Sequence, residues 1–135
     1  MKLIANVDGG ARGNPGPAAI GVVLRNEDGA VIADAAEPIG NATNNVAEYR
    51  ALIRGIELAA QHGATELQLY GDSELVVKQI RGEYKVKDAG LKPLHAEARA
   101  ALSAFVKWSF DHVRREQNAD ADALVNQALD AHLTL

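Results

Sequence analysis

The sequence predicts an α/β protein: a five-stranded mixed sheet, three strands antiparallel and then two parallel, with helices on both faces. Three observations predict it. Three β-type runs joined by short connections open the chain, as in an antiparallel meander. A long amphipathic stretch then separates them from the fourth run and permits a crossover. From there helical and strand patterns alternate to the end, giving the order βββαβααβα.

Residues 2–7 read as the first strand, and residues 18–25, rich in small and β-branched types, as the second. "NEDG" is a turn signal, and residues 30–39 make the third strand. "ATNNVAEYRALIRGIELAA" puts asparagines ahead of an apolar-periodic run, which predicts a helix over 45–62 that stops at Gly63. Residues 67–70 form a fourth strand leading into "DSELVVKQIRG", a short helix ending at Gly82. Further helices are expected over 93–107 and 118–133, with "WSFDHV" as the fifth strand between them. There is no internal repeat, low-complexity tract or linker, so residues 1–135 read as one domain.

Of the 135 residues 47% are apolar and 24% charged, enough for a core and ordinary for a soluble protein. No run of ~18 apolar residues is present to span a membrane, and "MKLIANVDGG" does not resemble a signal peptide. The chain has no cysteine, which excludes disulfides and thiolate metal sites. A cytoplasmic monomer with no membrane partner is expected. The net charge of −4 and pI of about 5.5 argue, alone, against nucleic-acid binding. The distribution says more: Lys78, Arg81, Lys85, Lys87 and Lys92 cluster against two acids, and Arg114 and Arg115 form a second basic spot. Such clusters are also what an ordinary solvated face carries.

The carboxylates carry the chemistry. On the first helix Arg50, Arg54, Glu57 and Gln61 form a polar stripe, while Glu48 shares its face with Leu52, Gly55 and Ala59, the side to be buried. Asp8 ends the first strand on the face of Ile4 and Asn6, and Asp72 ends the fourth on the face of Gln68 and Tyr70. If these strands are neighbours, the two carboxylates lie together, and the first helix packed on that face would add Glu48. Asp122 joins from the last helix, on the side of Val125 and Leu129. Taken singly, each has an ordinary alternative: Asp8 in a turn, Asp72 as a helix cap, Asp122 in solvent. Buried together they repel one another and require a counter-charge. Oxygen donors with no His or Cys among them point to Mg2+ or Mn2+.

With these residues placed, nearly the whole chain resembles a type 1 ribonuclease H of the short bacterial and archaeal branch. "VDGGARGNPGPAAIG", "ATNNVAEYRAL", "LYGDSELVV" and "REQNADADALVNQAL" are similar to four of its motifs, in order and on the right elements. The resemblance implies a ribonuclease H-like fold and an endoribonuclease that cuts the RNA strand of RNA/DNA hybrids, leaving 5′-phosphate and 3′-hydroxyl ends. It implies Asp8, Glu48, Asp72 and Asp122 as catalytic residues and metal ligands. Asp120 competes for the fourth place, but the motif's Asn and Ala fall on Asn118 and Ala121, which selects Asp122. The cofactor implied is a pair of Mg2+ ions, Mn2+ substituting, ~3.5–4 Å apart and bridged mainly by Asp8. Once loaded, such a cleft no longer repels phosphate.

The resemblance also implies a hybrid-binding set. Asn14, Asn44 and Asn45 match positions that read 2′-hydroxyls or bases, and Thr43 one that holds a DNA-strand phosphate. The chain departs from its relatives in four places, two of them Asn41, where some have a basic residue, and Glu74, where some have Gln. "RGEYKVKDAGLKPL" is too short for the basic extension of longer relatives, so its own basic cluster would serve instead. No loop histidine precedes the last helix: His112 falls inside the fifth strand as a structural residue, and Arg115 takes that neighbourhood. Two alternatives remain open at this level: a module that binds hybrids without cutting them, and the nuclease domain of a longer fusion protein.

Overall fold

The structure, a computed structural model, describes residues 1–133. Strands β1 (Lys2–Ala11), β2 (Gly16–Arg25) and β3 (Val31–Ala42) lead into helix α1 (Asn44–Gln61) and strand β4 (Glu66–Gly71). Helices α2 (Glu74–Ile80) and α3 (Lys92–Leu102), strand β5 (Lys107–His112), a 3-10 turn (Arg115–Asn118) and helix α4 (Ala119–Leu133) follow. The sheet order is β3-β2-β1-β4-β5. β1, β2 and β3 pair antiparallel, and β1–β4 and β4–β5 pair parallel, as the alternation of patterns implied. Among the described residues no helix is long and apolar enough to cross a membrane.

The helix ends follow from local chemistry. Thr43 caps α1 by accepting from the Val46 N–H at 3.2 Å, and Gly63 adopts φ 81°, the left-handed stop that its lack of a Cβ permits. Helix α3 ends five residues earlier than residue 107, where the sequence pattern placed its end. The Ser103 hydroxyl turns back onto the Ala100 carbonyl at 2.6 Å, and the Phe105 N–H donates to Leu102. This tight turn drives Phe105 into the core, and the Val106 N–H, bonded to the Thr65 carbonyl at 2.8 Å, starts the approach to β5.

The two sheet faces are covered by different helices, and here the structure corrects the sequence reading. The main core lies under α1 and α3 and holds Leu3, Ala5, Val7, Leu52, Ile56, Leu67, Leu69, Leu102 and Phe110. Gly55 of α1 sits so close to the sheet that a Cβ there would lie 2.7 Å from a Val7 methyl. Helix α1 therefore packs on the Val7 face, not on the face of Asp8. The Asp8 face belongs to α4. Gly21, the register partner of Asp8, has space for no Cβ, because the Ala121 carbonyl of α4 would be 2.2 Å away. Alternation fixes which residues share a face; it does not say which helix covers it. A smaller apolar cluster of Ala19, Val125, Ala128 and Leu129 seats α4 on that face.

Candidate active site

β1 and β4 pair as far as Val7–Gly71, and one residue beyond that pair stand Asp8 and Asp72. Both stand at the carboxyl end of this parallel pair, where open α/β sheets gather ligands. Glu48 reaches the same place from the first turns of α1 by a close backbone approach. A Cβ on Gly9 would lie 2.1 Å from the Ala47 carbonyl, so only glycine lets α1 come this near. The Gly9 N–H then donates to Glu48 Oε1 at 3.0 Å and fixes the carboxylate. One oxygen of each of Asp8, Glu48 and Asp72 lies within 4.8 Å of the others.

The electrostatics of this triad are those of an unneutralised site. Burial pushes the Asp8 carboxyl up to about 10, and the Glu48 and Asp72 carboxylates add to the shift. Burial also pushes Glu48 up, to about 7, against the hydrogen bonds from Asp8 and the Gly9 N–H. Asp8 thus keeps a proton that Glu48 accepts as a hydrogen bond. Ser73, not Asp72, caps α2, its hydroxyl accepting from the Val76 N–H at 3.3 Å. The alternative of Asp72 as a helix cap falls away. His112, at the end of β5, places its Nε2 3.2 Å from the Asp72 carbonyl oxygen and so braces the backbone of that residue.

A cavity of about 400 Å³ opens over the triad. Asp122 and Asn126 of α4, Arg115, Asn44, Asn45 and Arg12 line it with the three carboxylates. Asp122 faces the cleft but lies outside the triad: Arg115 Nη2 is 3.5 Å from its Oδ1, and the Asn126 amide donates to its backbone carbonyl at 3.2 Å. Asp120, the competing residue, turns away to Arg25 at 2.5 Å. Asn44 and Asn14 hold the neighbouring turn: the Ala11 N–H donates to Asn44 Oδ1 at 2.9 Å, and the Asn44 N–H to Asn14 Oδ1 at 3.0 Å. Among the described residues neither side-chain NH2 group has a partner. Thr43 stands just outside the cleft lining, its hydroxyl engaged as the α1 cap.

The sequence reading missed what long-range contacts alone reveal. Asn118 is 1% exposed. Its amide donates to the Val7 carbonyl at 2.9 Å and its Oδ1 accepts from Asn6 at 3.0 Å, tying the start of α4 to the strand that carries Asp8. Arg12 lines the cleft from the β1–β2 turn; a cation beside "GNPG" was the only signal available. Of the basic cluster, Lys85 and Lys92 line a separate cavity with His95 and Arg99, whose rings and guanidinium face the carbonyls of Gln79 and Ile80 at the far end of α2.

Comparison with known proteins fits this geometry. A family model described as "Reverse transcriptase-like" matches residues 6–128. Ribonuclease HI of Halobacterium salinarum is 49% identical over 96% of this chain and 65% of its own length. A bifunctional protein of Mycobacterium tuberculosis is 47% identical over 97% of the chain but only 36% of its own length. The chain therefore spans less than two thirds of both relatives. The crystal structure of RNase H1 from Halobacterium salinarum superposes with a TM-score of 0.95 at 47% identity, covering 97% of this chain and 99% of that one. An RNase H1 isolated from compost, solved in complex with an RNA/DNA hybrid, superposes at 0.92 with 46% identity, covering 97% and 99%.

Proposed function

Since the chain belongs to the ribonuclease H family, we propose that it is an endoribonuclease that hydrolyses the RNA strand of RNA/DNA hybrids with divalent metal, the whole chain serving as one nuclease domain. The observation that carries this reading is the closing of Asp8, Glu48 and Asp72 to within 4.8 Å in a cleft rimmed by asparagines and arginines. The donor set fits a hard cation: three carboxylates, no nitrogen or sulfur ligand, and burial that disfavours the charged forms of Asp8 and Glu48. Asp8, Glu48 and Asp72, with Asp122 across the cleft, would hold two Mg2+ ions, Mn2+ substituting. When bound, these supply charge neutralisation and activate water for attack at phosphorus.

The chain's own residues do the rest. The Gly9 N–H and the His112 ring hold Glu48 and the Asp72 backbone in place, so the carboxylates need no rearrangement. Asn44 and Asn45 present amides at the rim, suited to the 2′-hydroxyls that distinguish RNA from DNA, and Asn14 supports them. Arg115, 77% exposed, offers its guanidinium to a backbone phosphate, and Thr43 flanks the α1 end where the DNA strand would pass. Water adds to phosphorus, the P–O3′ bond breaks and the 3′ oxygen takes a proton, which leaves 5′-phosphate and 3′-hydroxyl ends.

Incubation of an end-labelled RNA/DNA hybrid with and without Mg2+ tests the reading. Cleavage in Mg2+, its loss in chelator, and its loss in a folded Asp8→Asn variant are expected. Undiminished cleavage in chelator would overturn it.

A further inference from the structure

The second arginine of the cleft has no part in the mechanism above. Arg12 lines the cleft with Asn44 and Asn45, and its Nη2 donates to Asp130 Oδ1 of α4 at 2.6 Å. Both side chains are open to solvent, at 39% and 67% exposure. Ion pairs this exposed contribute little and exchange readily.

The backbone beneath Arg12 is held. Its N–H donates to the Pro17 carbonyl at 2.8 Å, across the turn. The same turn is pinned to the start of α1 by the Ala11–Asn44 and Asn44–Asn14 hydrogen bonds already described. A guanidinium is therefore presented to the cleft from a fixed base, restrained at its tip by a weak exposed partner.

Arg115 stands in the same relation to α4. It rests on Asp122 and Arg12 on Asp130, eight residues further along the helix. That separation is an axial rise of ~12 Å. One phosphate cannot satisfy both arginines, but one sugar–phosphate backbone can meet them in succession. A phosphate accepts two parallel N–H bonds from a guanidinium, whereas Asp130 takes one.

We propose that Arg12 is a second phosphate contact for the nucleic-acid strand in the cleft, and that Asp130 competes with the phosphate for it. The choice of an RNA/DNA hybrid as ligand rests on the functional reading above; the contact itself requires only a phosphodiester backbone. A structural ion pair and a competing one predict different signs. If the pair merely fastens α4 to the turn, losing either partner weakens binding. If Asp130 competes with phosphate, losing Arg12 weakens binding and losing Asp130 strengthens it.

Binding of a fluorescent RNA/DNA hybrid, followed by anisotropy in Mg2+ over a range of salt, separates the two. The full chain is used in an Asp8→Asn background, so that the ligand survives. Arg12→Met is expected to weaken binding roughly threefold to tenfold and to lower the salt slope by about 0.9, the loss of one phosphate contact. Asp130→Asn is expected to tighten binding roughly twofold to threefold, and this gain vanishes in the Arg12→Met/Asp130→Asn double variant. Should Arg12→Met fail to fold, Arg12→Lys keeps the charge and the salt slope but loses the fork, and binds less tightly than Arg. Unchanged affinity and slope on losing Arg12 overturn the contact. An Asp130→Asn variant that binds no tighter, or still binds tighter without Arg12, overturns the competition. Cleavage by the unaltered chain, run alongside, reports separately on the hydrolase reading: a chain that binds with these shifts yet never cuts removes that reading and leaves Arg12 standing.

Discussion

In chelator, the Asp8→Asn variant should melt higher than the unaltered chain, and by more at pH 8 than at pH 5. Asp8 is 5% exposed and its carboxyl is pushed up to about 10, first by burial and then by Glu48 and Asp72. Between its ordinary value of 3.8 and about 10, the folded chain keeps a proton that the unfolded chain has released. The native state then binds more protons than the unfolded one, so stability falls as pH rises through this window. One retained proton is worth about 1.4 kcal/mol per pH unit, or at most ~4 kcal/mol from pH 5 to pH 8. Water entry and relaxation around the cleft reduce this to about 1–3 kcal/mol. With a melting entropy of about 0.28 kcal/mol/K for a chain of this length, the loss is roughly 4–10 °C. Asparagine has the size of aspartate and no charge to lose, so the difference between the two melting curves isolates the site. Circular-dichroism melts in EDTA at half-unit steps from pH 5 to pH 8 make the measurement. Parallel curves for the two proteins, or a variant that melts lower at pH 8, would show that Asp8 is held by favourable partners and not by burial beside like charge.

Three further outcomes are expected. Asp72→Asn should raise the melting temperature in chelator by a few degrees and blunt the gain that Mg2+ gives the unaltered chain; Ser73 caps α2, so no cap is lost, and a lower melting point would remove Asp72 from the repelling set. Gly9→Ala should cost about 3 kcal/mol, roughly 10 °C, since its Cβ would meet the Ala47 carbonyl at 2.1 Å, and should reduce hybrid cleavage by displacing Glu48; a thermal melt and an initial rate at the wild-type level would contradict the close approach. Duplex DNA of the same sequence should survive conditions that consume the hybrid, because the Asn44 and Asn45 amides beside Glu48 then find no 2′-hydroxyl; equal rates on a gel would refute that selectivity.

What the sequence made legible was what short-range periodicity encodes. Glu48 falls on the buried face with Leu52 and Ala59 because residues four apart on a helix share a side, and the strands that carry Asp8 and lead to Asp72 are parallel neighbours, although β1, expected to end at Asp8, runs on to Ala11 in its pairing with β2. Periodicity is silent on which layer covers which face. The assumption that α1 covers the face of Asp8 fails, since the structure has α4 there, and Glu48 instead comes round the strand ends through the glycine gap at Gly9. Polar pairs far apart in the chain were equally silent. Asn118 reaches Val7 across 111 positions and Arg12 reaches Asp130 across 118, and no local pattern registers either. The end of α3 was misjudged for a local reason: Ala-rich sequence through residue 104 favours helix, but burial of Phe105 and the pairing of Val106 with Thr65 outweigh that propensity.

Helix α4 rests on the sheet through a cluster of four residues that is separate from the main core. The triad, by contrast, hangs on the central strand and on α1, whose apolar contacts run through the whole of that core. Amide hydrogens of β1 should therefore exchange only when the entire molecule opens, while those of α4 escape through a smaller excursion of lower free energy. The cleft is thus assembled from two cooperative units of unequal persistence: a lasting half that bears Asp8, Glu48 and Asp72, and a transient half that bears Asp122 and Asp130, the acids on which the rim arginines rest. Mild denaturant or warming should unseat the second while the first endures.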